Sequence, residues 1–280
     1  MSYNDITIVI TSFKSSSKLI SCLNSIKSEI KVLVIENSDD KEFQAKLKKK
    51  YKNLECILAG ENLGYAKGNN LGLSRVKTKF ALIINPDVIL DKDAIDNFFK
   101  STQLKPEFAI IAPFIQEEKD IKKISGDIKE LIEVNNVKGF AMFMNIEQFK
   151  NIGFFDDNFF IYFEEIDLCR RLKNNGKKIY LDPNIKIFLE GGSSHNVEVN
   201  YQMELSRNWH WMWSTFYYNK KYNGFIISLF KIFPKLIKSL FKIILYSIFF
   251  NKFKMLIYFY RLSGILNSIL CKKSWYRPKV

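Results

Sequence analysis

The segment NPD, residues 85–87, places a carboxylate just after an apolar run. The five residues before it, Phe80 to Ile84, are uninterrupted apolar residues and predict a strand buried on both faces. Ligands of parallel sheets bind beyond the carboxyl ends of the strands, where Asp87 would lie. A carboxylate beside the amide oxygen of Asn85 suits a hard divalent cation that neutralises a diphosphate. Alternatively, Asp87 only caps the turn made by the proline, or the helix that follows.

Three more carboxylates fall within four residues in the segment EEID, residues 164–167. At helical spacing Glu164 and Asp167 share one face, whereas Glu165 points elsewhere. One of these carboxylates, set in a cleft, could act as a general base on a hydroxyl group. The alternative is an acidic first turn that only complements the helix dipole.

The segment GYAKGNN, residues 64–70, is rich in glycine and begins a predicted helix. Gly64 and Gly68 would let the backbone approach a ligand, and Lys67 or Asn70 could contact a phosphate or a sugar. The spacing matches neither the dinucleotide-binding nor the P-loop motif. The alternative is a helix start with a glycine that is needed for packing.

Histidine and cysteine offer little metal chemistry in this chain. His195 and His210 are the only histidines, so no site with several histidine ligands can form. The cysteines lack a CxxC pair, which argues against a zinc knuckle or a disulfide framework and favours a reducing compartment; they are Cys22, Cys56, Cys169 and Cys271. Three tryptophans alternate within a predicted helix and are expected to anchor a core or an interface: Trp209, Trp211 and Trp213.

Short apolar strands alternate with helices along the first hundred residues and predict an α/β fold, a mostly parallel sheet with helices on both faces. The predicted strands are 6–12, 32–37, 54–59 and 80–85. Further on, strands are expected at 108–115, 137–145 and 177–182, with a helix at 164–176. Polar residues recur at the carboxyl ends of the early strands, which predicts a site along one edge formed by Thr11, Glu36, Asn62, Asn85 and Asp87.

The net charge of +14 is confined to the end of the chain. Residues 205–280 contain 14 lysines and arginines and no aspartate or glutamate, so residues 1–204 are neutral overall. This asymmetry predicts two domains, 1–204 and 205–280, of which only the second favours an anionic partner surface.

Four lysines of this tail recur at i, i+4, i+7 and i+11 and share one helical face, while Phe, Ile and Leu cover the rest; they are Lys231, Lys235, Lys238 and Lys242. Within residues 224–260 the longest uncharged run, 243–251, has nine residues, against about 20 for a membrane-spanning helix. The pattern predicts a basic amphipathic helix on an anionic membrane surface. The alternative is a helix packed on the body or on a second subunit. Nucleic acid is not expected, because polar base-reading positions are missing.

Taken in order, the motifs between residues 5 and 220 resemble glycosyltransferase family 2 enzymes with a GT-A, Rossmann-like fold, in particular the rhamnosyltransferase-like branch of polysaccharide assembly. The motifs are TIVITSF, VLVIENSDD, ENLGYAKGNN, LIINPDV, VKGFAMFM and FFIYFEEIDLCRRLKNNG. The NPD segment resembles that family's Asp-x-Asp motif. The resemblance implies that Asp87 binds the metal, Mg²⁺ or Mn²⁺, and the nucleotide diphosphate, and that Glu36 contacts the base or ribose.

Together with the residue patterns, the resemblance predicts a donor site formed by Thr11, Glu36, Asn62, Gly64, Lys67, Asn70, Asn85 and Asp87. Gly139 and Glu164 are expected at the acceptor. The family has an aspartate as base where this chain has Glu165, with Asp167 two residues further on, so either carboxylate is a candidate. The family often has a histidine before a Gly-Gly-Ser stretch, where this chain has Leu189 or Glu190, with His195 downstream.

The resulting expectation is an inverting glycosyltransferase that uses a dTDP- or UDP-sugar, with dTDP-rhamnose as one candidate. The acceptor would be a glycan or a lipid-linked glycan in surface polysaccharide assembly. The start of the chain has no signal-peptide pattern, so a cytoplasmic protein, peripheral at the inner face of the membrane, is expected. Two alternatives stay open: a sugar nucleotidyltransferase, and a catalytically inactive GT-A-like subunit of a membrane assembly.

Overall fold

The computed structural model describes residues 1–114, 130–190 and 197–278. The chain divides into two compact units. The first comprises Met1–Leu63, Lys67–Phe155 and Glu165–Ser194, and the second comprises Gly64–Ala66, Asp156–Glu164 and His195–Val280.

The strands described in the first unit form two sheets. They are β1 Ile6–Ser12, β2 Lys31–Glu36, β3 Leu54–Leu58, β4 Phe80–Ile84, β5 Val88–Leu90, β6 Phe108–Pro113, β7 Ile132–Glu133, β8 Ala141–Asn145, β9 Lys178–Asp182 and β10 Ile187–Leu189. The larger sheet has the order β3-β2-β1-β4-β8-β6-β9-β7, and β5 pairs with β10 in a separate antiparallel ribbon. The neighbours β3-β2-β1-β4 are all parallel, and β8 runs antiparallel to both β4 and β6.

Helices flank this sheet, as the sequence pattern predicted. They are α1 Ser16–Asn24, α2 Lys41–Lys50, α3 Gly64–Leu73, α4 Ala94–Leu104 and α5 Glu164–Asn174. The start of α2 shows how the sequence sets these bounds: the side chain of Asp40 accepts a hydrogen bond from the amide of Phe43 at 2.9 Å, which satisfies one of the unpaired amides of the first turn. The expected α/β fold is confirmed.

The core of the first unit is the apolar interior of the parallel strands. Ile8, Ile10 and Leu82 are fully buried, which fits strands that are covered on both faces. The predicted strand 137–145 was too long at its start, because β8 begins only at Ala141. Residues 137–140 form a loop instead, in which the carbonyl of Phe140 accepts a hydrogen bond from the amide of Asn85 at 2.9 Å.

The second unit consists mainly of three helices, α6 Val197–Asn223, α7 Phe225–Ile248 and α8 Lys252–Ile269. Met212 and Phe216 of α6 pack with Ile232 of α7 and Ile265 of α8. The crossing of α6 and α8 is close, since a Cβ atom on Gly264 would lie 2.3 Å from a carbonyl oxygen of α6. The predicted domain boundary after residue 204 lies inside α6.

The basic amphipathic helix predicted in the tail corresponds to α7, and a separate helix, α8, follows it. The break falls at Phe249–Asn251, where Phe250 has a φ of 50°. All four predicted lysines lie in α7. Within the described ranges, each helix is either too short or too polar to cross a membrane.

Candidate active site

The carboxyl ends of β1, β2 and β4 lie side by side. Ser12 of β1 is in register with Glu36 of β2, and Ile10 is in register with Ile84, the last residue of β4. The amide of Asn37 donates to the carbonyl of Ser12 at 2.8 Å, which extends the pairing past the strand ends. The polar residues that follow these strands therefore share one edge of the sheet, as predicted.

Glu36 is buried at this edge, with 2% of its surface exposed. Its Oε1 accepts a hydrogen bond from the amide of Ser38 at 2.7 Å. Burial raises the pKa of Glu36, while hydrogen bonds from Ser38 and Ser12 oppose that rise. The carboxylate is thus fixed by its neighbours, and its predicted contact with a donor nucleotide stays a prediction.

The NPD segment is a turn whose backbone is held on two sides. The amide of Val88 donates to the carbonyl of Asn85 at 3.1 Å and closes the turn around Pro86. The amide of Asn85 donates to the loop before β8, and the amide of Glu190 donates to the carbonyl of Asp87 at 2.8 Å. The predicted turn is therefore present, but the hydrogen bonds that make it are all backbone bonds.

The carboxylate of Asp87 is left available by this turn. Its Oδ1 is buried and has no hydrogen-bond partner among the described residues. The nearby thiol of Cys22 has its pKa raised to about 12, first by burial and then by the charge of Asp87. Because an unpartnered buried carboxylate oxygen is unfavourable, this atom fits a ligand of a cation.

A metal at Asp87 would need most of its ligands from elsewhere. In the part of the chain that the structure describes, no group of three or more His, Cys, Asp or Glu side chains could hold a metal ion. Mg²⁺ is commonly bound by one or two carboxylates, with substrate phosphates and water completing its shell. Asp87 and a diphosphate together fit that pattern.

Glu165 lies in the first turn of α5 and presents a second carboxylate of this kind. Its Oε2 is buried and unpartnered among the described residues. Burial raises the pKa of Glu165, and the backbone amides of Glu165 and Ile166 partly oppose that rise. A carboxylate with a raised pKa and an unpaired oxygen can accept a proton from a hydroxyl group.

Asp167, the other candidate base, has a structural partner. Its side chain is fully buried and accepts from Arg171 Nε at 2.8 Å. Arg171 also donates to the carbonyls of Ile152, at 2.9 Å, and of Phe154. Asp167 therefore holds an arginine that binds the aromatic loop before α5, and this geometry favours Glu165 as the base.

A loop in the same unit ties the Asp87 turn to α5. Its residue Phe140 accepts the hydrogen bond from the turn. Its residue Val137 donates a backbone hydrogen bond to Cys169 of α5, a buried thiol whose pKa is raised to about 12, mainly by burial, with the charge of Glu165 also contributing. Gly139 lies in this loop, next to a cavity of about 210 Å³. The predicted metal ligand, acceptor glycine and base thus belong to connected segments.

The glycine-rich start of α3 packs closely against neighbouring residues. A Cβ atom on Gly68 would lie 2.5 Å from the Thr11 methyl group, and Thr11 Oγ1 donates to Asn69 at 3.1 Å. The side-chain amide of Asn70 exchanges two hydrogen bonds with the backbone of Phe155, at 2.9 and 3.0 Å. The packing alternative therefore accounts for Gly68, and donor contacts of Thr11 and Asn70 stay predictions.

The remaining predicted residues are more scattered. Gly64, in the second unit, has a φ of +75°, and a Cβ atom there would lie 2.3 Å from the carbonyl oxygen of Phe160. Both the backbone conformation and the lack of space therefore require glycine at this position. Lys67 is exposed and Asn62 is half-buried. Glu164 is 5% exposed and groups with the second unit. Their predicted roles stay predictions.

The two histidines have different outcomes. His210 is fully buried in the second unit and bonds the carbonyl of Tyr276 and the hydroxyl of Ser274, both at 2.9 Å. Burial lowers its pKa to about 3, so it is a neutral structural residue. His195 lies outside the described residues. Leu189, one of the two residues expected at the family's histidine position, pairs with Val88 beside the Asp87 turn.

The sequence patterns did not reveal a cleft in the second unit. It is lined by Tyr162, Glu204, Arg207, Asn208, Trp211 and Arg261. Trp209 and Trp213 are buried as predicted, but Trp211 is 43% exposed and faces this cleft. The basic tail composition was the one available signal, because these residues lie far apart along the chain.

The family model for glycosyl transferase family 2 matches residues 7–171, more than half of the chain and all the segments of the site in the first unit. The chain belongs to glycosyl transferase family 2. This match confirms the family resemblance that the ordered motifs predicted.

Three similar proteins give this membership a context. The low-salt glycan biosynthesis hexosyltransferase Agl10 of Haloferax volcanii is 25% identical over 199 residues, which cover 63% of this chain and 64% of that protein. The rhamnosyltransferase WbbL of Escherichia coli K12 is 25% identical over 199 residues, covering 59% of this chain and 75% of WbbL. The similarity thus spans less than two thirds of the length of Agl10.

The third is the mannosyltransferase PcManGT from Pyrobaculum calidifontis, whose structure contains GDP-Man and Mn²⁺. It aligns with a TM-score of 0.60 and 10% identity, over 96% of this chain and 88% of PcManGT. At this identity the likeness shows a common fold. The GT-A fold expected from the motifs is thereby confirmed.

Proposed function

We propose that this protein is an inverting glycosyltransferase that moves a sugar from a nucleoside-diphosphate sugar to a hydroxyl group of a glycan or a lipid-linked glycan. One observation carries the proposal: two carboxylates, Asp87 and Glu165, each keep a buried oxygen without a hydrogen-bond partner among the described residues. The backbone loop that links their segments supports a common site, within a chain of glycosyl transferase family 2.

Glu165 would act as the general base. Its carboxylate accepts the proton of the acceptor hydroxyl while that oxygen forms a bond to the anomeric carbon of the donor sugar. The bond between the anomeric carbon and the diphosphate oxygen breaks, and its electron pair leaves with the nucleoside diphosphate. Attack from the side opposite the leaving group inverts the anomeric configuration. The raised pKa of Glu165 suits this role, because burial makes the carboxylate a stronger base.

Asp87 would hold the diphosphate end of the donor through a divalent cation, Mg²⁺ or Mn²⁺. When bound, such a cation neutralises the negative charge of the leaving diphosphate. The backbone hydrogen bonds on both sides of the NPD turn hold the backbone from which the Asp87 carboxylate projects. Glu36, on the same sheet edge, is the proposed contact for the nucleoside part, and Asn85 lies beside the proposed metal ligand Asp87.

The sugar and the pathway follow from the relatives as proposals only. Agl10 is a hexosyltransferase of low-salt glycan biosynthesis, and WbbL is a rhamnosyltransferase. We infer a hexose or deoxyhexose donor, with dTDP-rhamnose and UDP-hexoses as the first candidates, and a role in assembly of a surface polysaccharide.

Calorimetric binding of UDP, dTDP, GDP and CDP, with and without Mn²⁺, tests the donor site. We expect metal-dependent binding of one diphosphate that is lost in Asp87→Asn. Asp93→Asn is a matched control, because Asp93 is exposed and its side chain makes no capping hydrogen bond. The proposal would be contradicted if the wild type and the control, both folded, bound no nucleotide. Release of pyrophosphate from a nucleoside triphosphate would instead favour a nucleotidyltransferase.

We also propose that α7 binds the surface of an anionic membrane, which would bring the enzyme to a lipid-linked acceptor. Large apolar side chains recur at intervals of three and four residues along α7, so they share one face. That face is solvent-exposed in the second unit: Ile226 is 70% exposed, Phe230 76% and Phe233 59%. A continuous row of exposed apolar side chains of this kind marks an interaction site.

Charge on the neighbouring face argues for an anionic lipid surface as the occupant. Lys231 and Lys238 are exposed along one side of the apolar stripe. Residues 205–280 contain no acidic side chain, so nothing in this segment repels an anionic surface. Each lysine near such a surface contributes about 1 kcal/mol. The predicted location at the cytoplasmic face stays a prediction.

Flotation with lipid vesicles separates the two contributions. Phe230→Ser with Phe233→Ser is expected to abolish binding to vesicles of any charge, whereas Lys231→Ser with Lys238→Ser should weaken only binding to anionic vesicles. Phe259→Ser, an exposed phenylalanine of α8, is the matched control. Unchanged flotation of the α7 phenylalanine variant would refute the proposal. A concentration-dependent dimer that the same variant dissociates would assign the stripe to a second copy instead.

A further inference from the structure

We propose that the second unit contains a binding site for a glycosyl phosphate in the cleft between Arg207 of α6 and Arg261 of α8. The cleft has a volume of about 380 Å³ and is lined by Tyr162, Glu204, Arg207, Asn208, Trp211 and Arg261. The inference deepens the proposed function and rests on it, because the phosphate-bearing sugar would be the head of the acceptor.

The two guanidinium groups are free to pair with an anion. Within the described part of the chain, neither Arg207 nor Arg261 forms an ion pair with a carboxylate. Arg261 is held in place by a hydrogen bond from its Nε to Asn208 Oδ1 at 2.6 Å, and its guanidinium carbon lies 5.1 Å from the ring centre of Tyr258. Its terminal nitrogens remain available.

A third positive charge stands near Arg261. Lys235 of α7 has its pKa lowered, first by burial and then by the positive charge of Arg261. Cations from α6, α7 and α8 therefore gather in one unit, against a single acidic side chain, Glu204, in the lining of the cleft. A bound phosphate would relieve their mutual repulsion, and guanidinium groups bind phosphate oxygens in pairs.

The aromatic wall of the cleft suits a sugar ring. Trp211 is 43% exposed, and its ring centre lies 5.2 Å from that of Tyr162 and 5.3 Å from that of Phe163. An exposed tryptophan beside polar groups offers a flat apolar face that a sugar can cover. Neither a bare phosphate nor a neutral sugar would use both the guanidinium groups and the rings.

The backbone at this wall is strained. Tyr162 and Phe163 have φ angles of 72° and 70°, a conformation that is unfavourable for residues with a Cβ atom. Ser214 of α6 holds the preceding turn, with its hydroxyl donating to the carbonyl of Ile161 at 3.0 Å. Such a conformation persists only where surrounding contacts hold it, so Tyr162 is held in the cleft, three residues before Glu165 along the chain.

Titration with α-D-glucose 1-phosphate and with inorganic pyrophosphate, in EDTA, tests the site. We expect Arg207→Gln with Arg261→Gln to weaken binding of both probes by about tenfold or more. Trp211→Ala should weaken binding of glucose 1-phosphate by about threefold and leave pyrophosphate unchanged. Lys272→Gln with Lys273→Gln, exposed lysines of the same unit, removes the same charge and should change neither.

Further variants separate this site from the donor site. Asp87→Asn should retain binding of both probes in EDTA, and the arginine variant should retain metal-dependent binding of the donor nucleotide. The single variant Arg207→Gln, at an exposed residue, keeps the test valid if the double variant does not fold. The inference is overturned if the wild type binds neither probe, if folded arginine variants bind as the wild type does, or if Asp87→Asn removes binding.

Discussion

The two units keep groups available for ligands in opposite ways. In the first, Asp87 and Glu165 each have a buried carboxylate oxygen without a hydrogen-bond partner among the described residues, and backbone hydrogen bonds hold the turn that carries Asp87. In the second, cations and large apolar side chains of α6, α7 and α8 stand at the surface. The first unit therefore carries its candidate catalytic carboxylates in a buried setting, whereas the second presents cationic and apolar side chains to the solvent.

This difference predicts that mutations can separate the proposed sugar transfer by the first unit from the proposed membrane binding by α7. Buried acids with raised pKa values favour proton transfer, since their charged form is poorly solvated. Exposed lysines interact more weakly with other charges because water and salt screen them, and exposed phenylalanines carry no charge, but both can bind a surface. Variants of the first unit should change turnover and stability, and variants of α7 should change binding to vesicles.

The sharpest test of the comparison is Glu165→Gln. Glutamine keeps the size of the side chain but cannot accept the proton, so we expect kcat to fall by about 10²–10⁴-fold. Donor binding and vesicle binding should stay at wild-type levels. The matched control is Glu147→Gln, an exposed glutamate of the first unit. A kcat close to that of the wild type, measured with a sugar donor and acceptor, would remove Glu165 as the base.

Asp167→Asn should act mainly on stability. It leaves the partly buried Arg171 without its carboxylate, which is expected to lower the free energy of unfolding by about 3 kcal/mol. Urea unfolding measures this loss, and breaking the exposed pair of Glu147 and Lys150 should have little effect by comparison. Folded Asp167→Asn should turn over faster than Glu165→Gln. The reverse order would make Asp167 the base and the ion pair incidental.

The effect expected to be smallest near neutral pH concerns the pH dependence of the second unit. Burial lowers the pKa of His210 to about 3 from its ordinary 6.5, so between these values the unfolded chain binds a proton that the folded chain does not. Folding stability should therefore fall as pH drops from 6.5 towards 3, by up to about 1.4 kcal/mol per pH unit.

Thermal unfolding of wild type and His210→Gln at several pH values isolates this term, because other titrating groups are common to both proteins. The difference between the two proteins should shrink as the pH falls from 6.5, since only the wild type loses the histidine's contribution. A difference independent of pH would mean that His210 binds a proton as readily in the folded chain as in the unfolded chain, which would contradict the prediction.

Local pattern predicted the regular elements well. The run 6–12 is β1 to the residue, and 164–176 contains α5, because an uninterrupted β-branched run and an acidic start with an Asn-Gly stop are decided by neighbours in sequence. The predicted strand at 137–145 failed at its start for the opposite reason. Phe140 turns its carbonyl to Asn85, a partner 55 residues away that no local pattern reveals.

By itself, the sequence determined the family, the order of strands and helices, and the sheet edge that gathers Asp87 with Glu36 and Asn85. These follow from periodicity and from the ends of parallel strands. Only the tertiary structure favours Glu165 over Asp167 as the proposed base, since the preference depends on Arg171 and on the backbone it binds. It likewise brought Arg207 and Arg261 into one cleft. Burial and pairing arise from contacts distant along the chain, and those contacts exist only after folding.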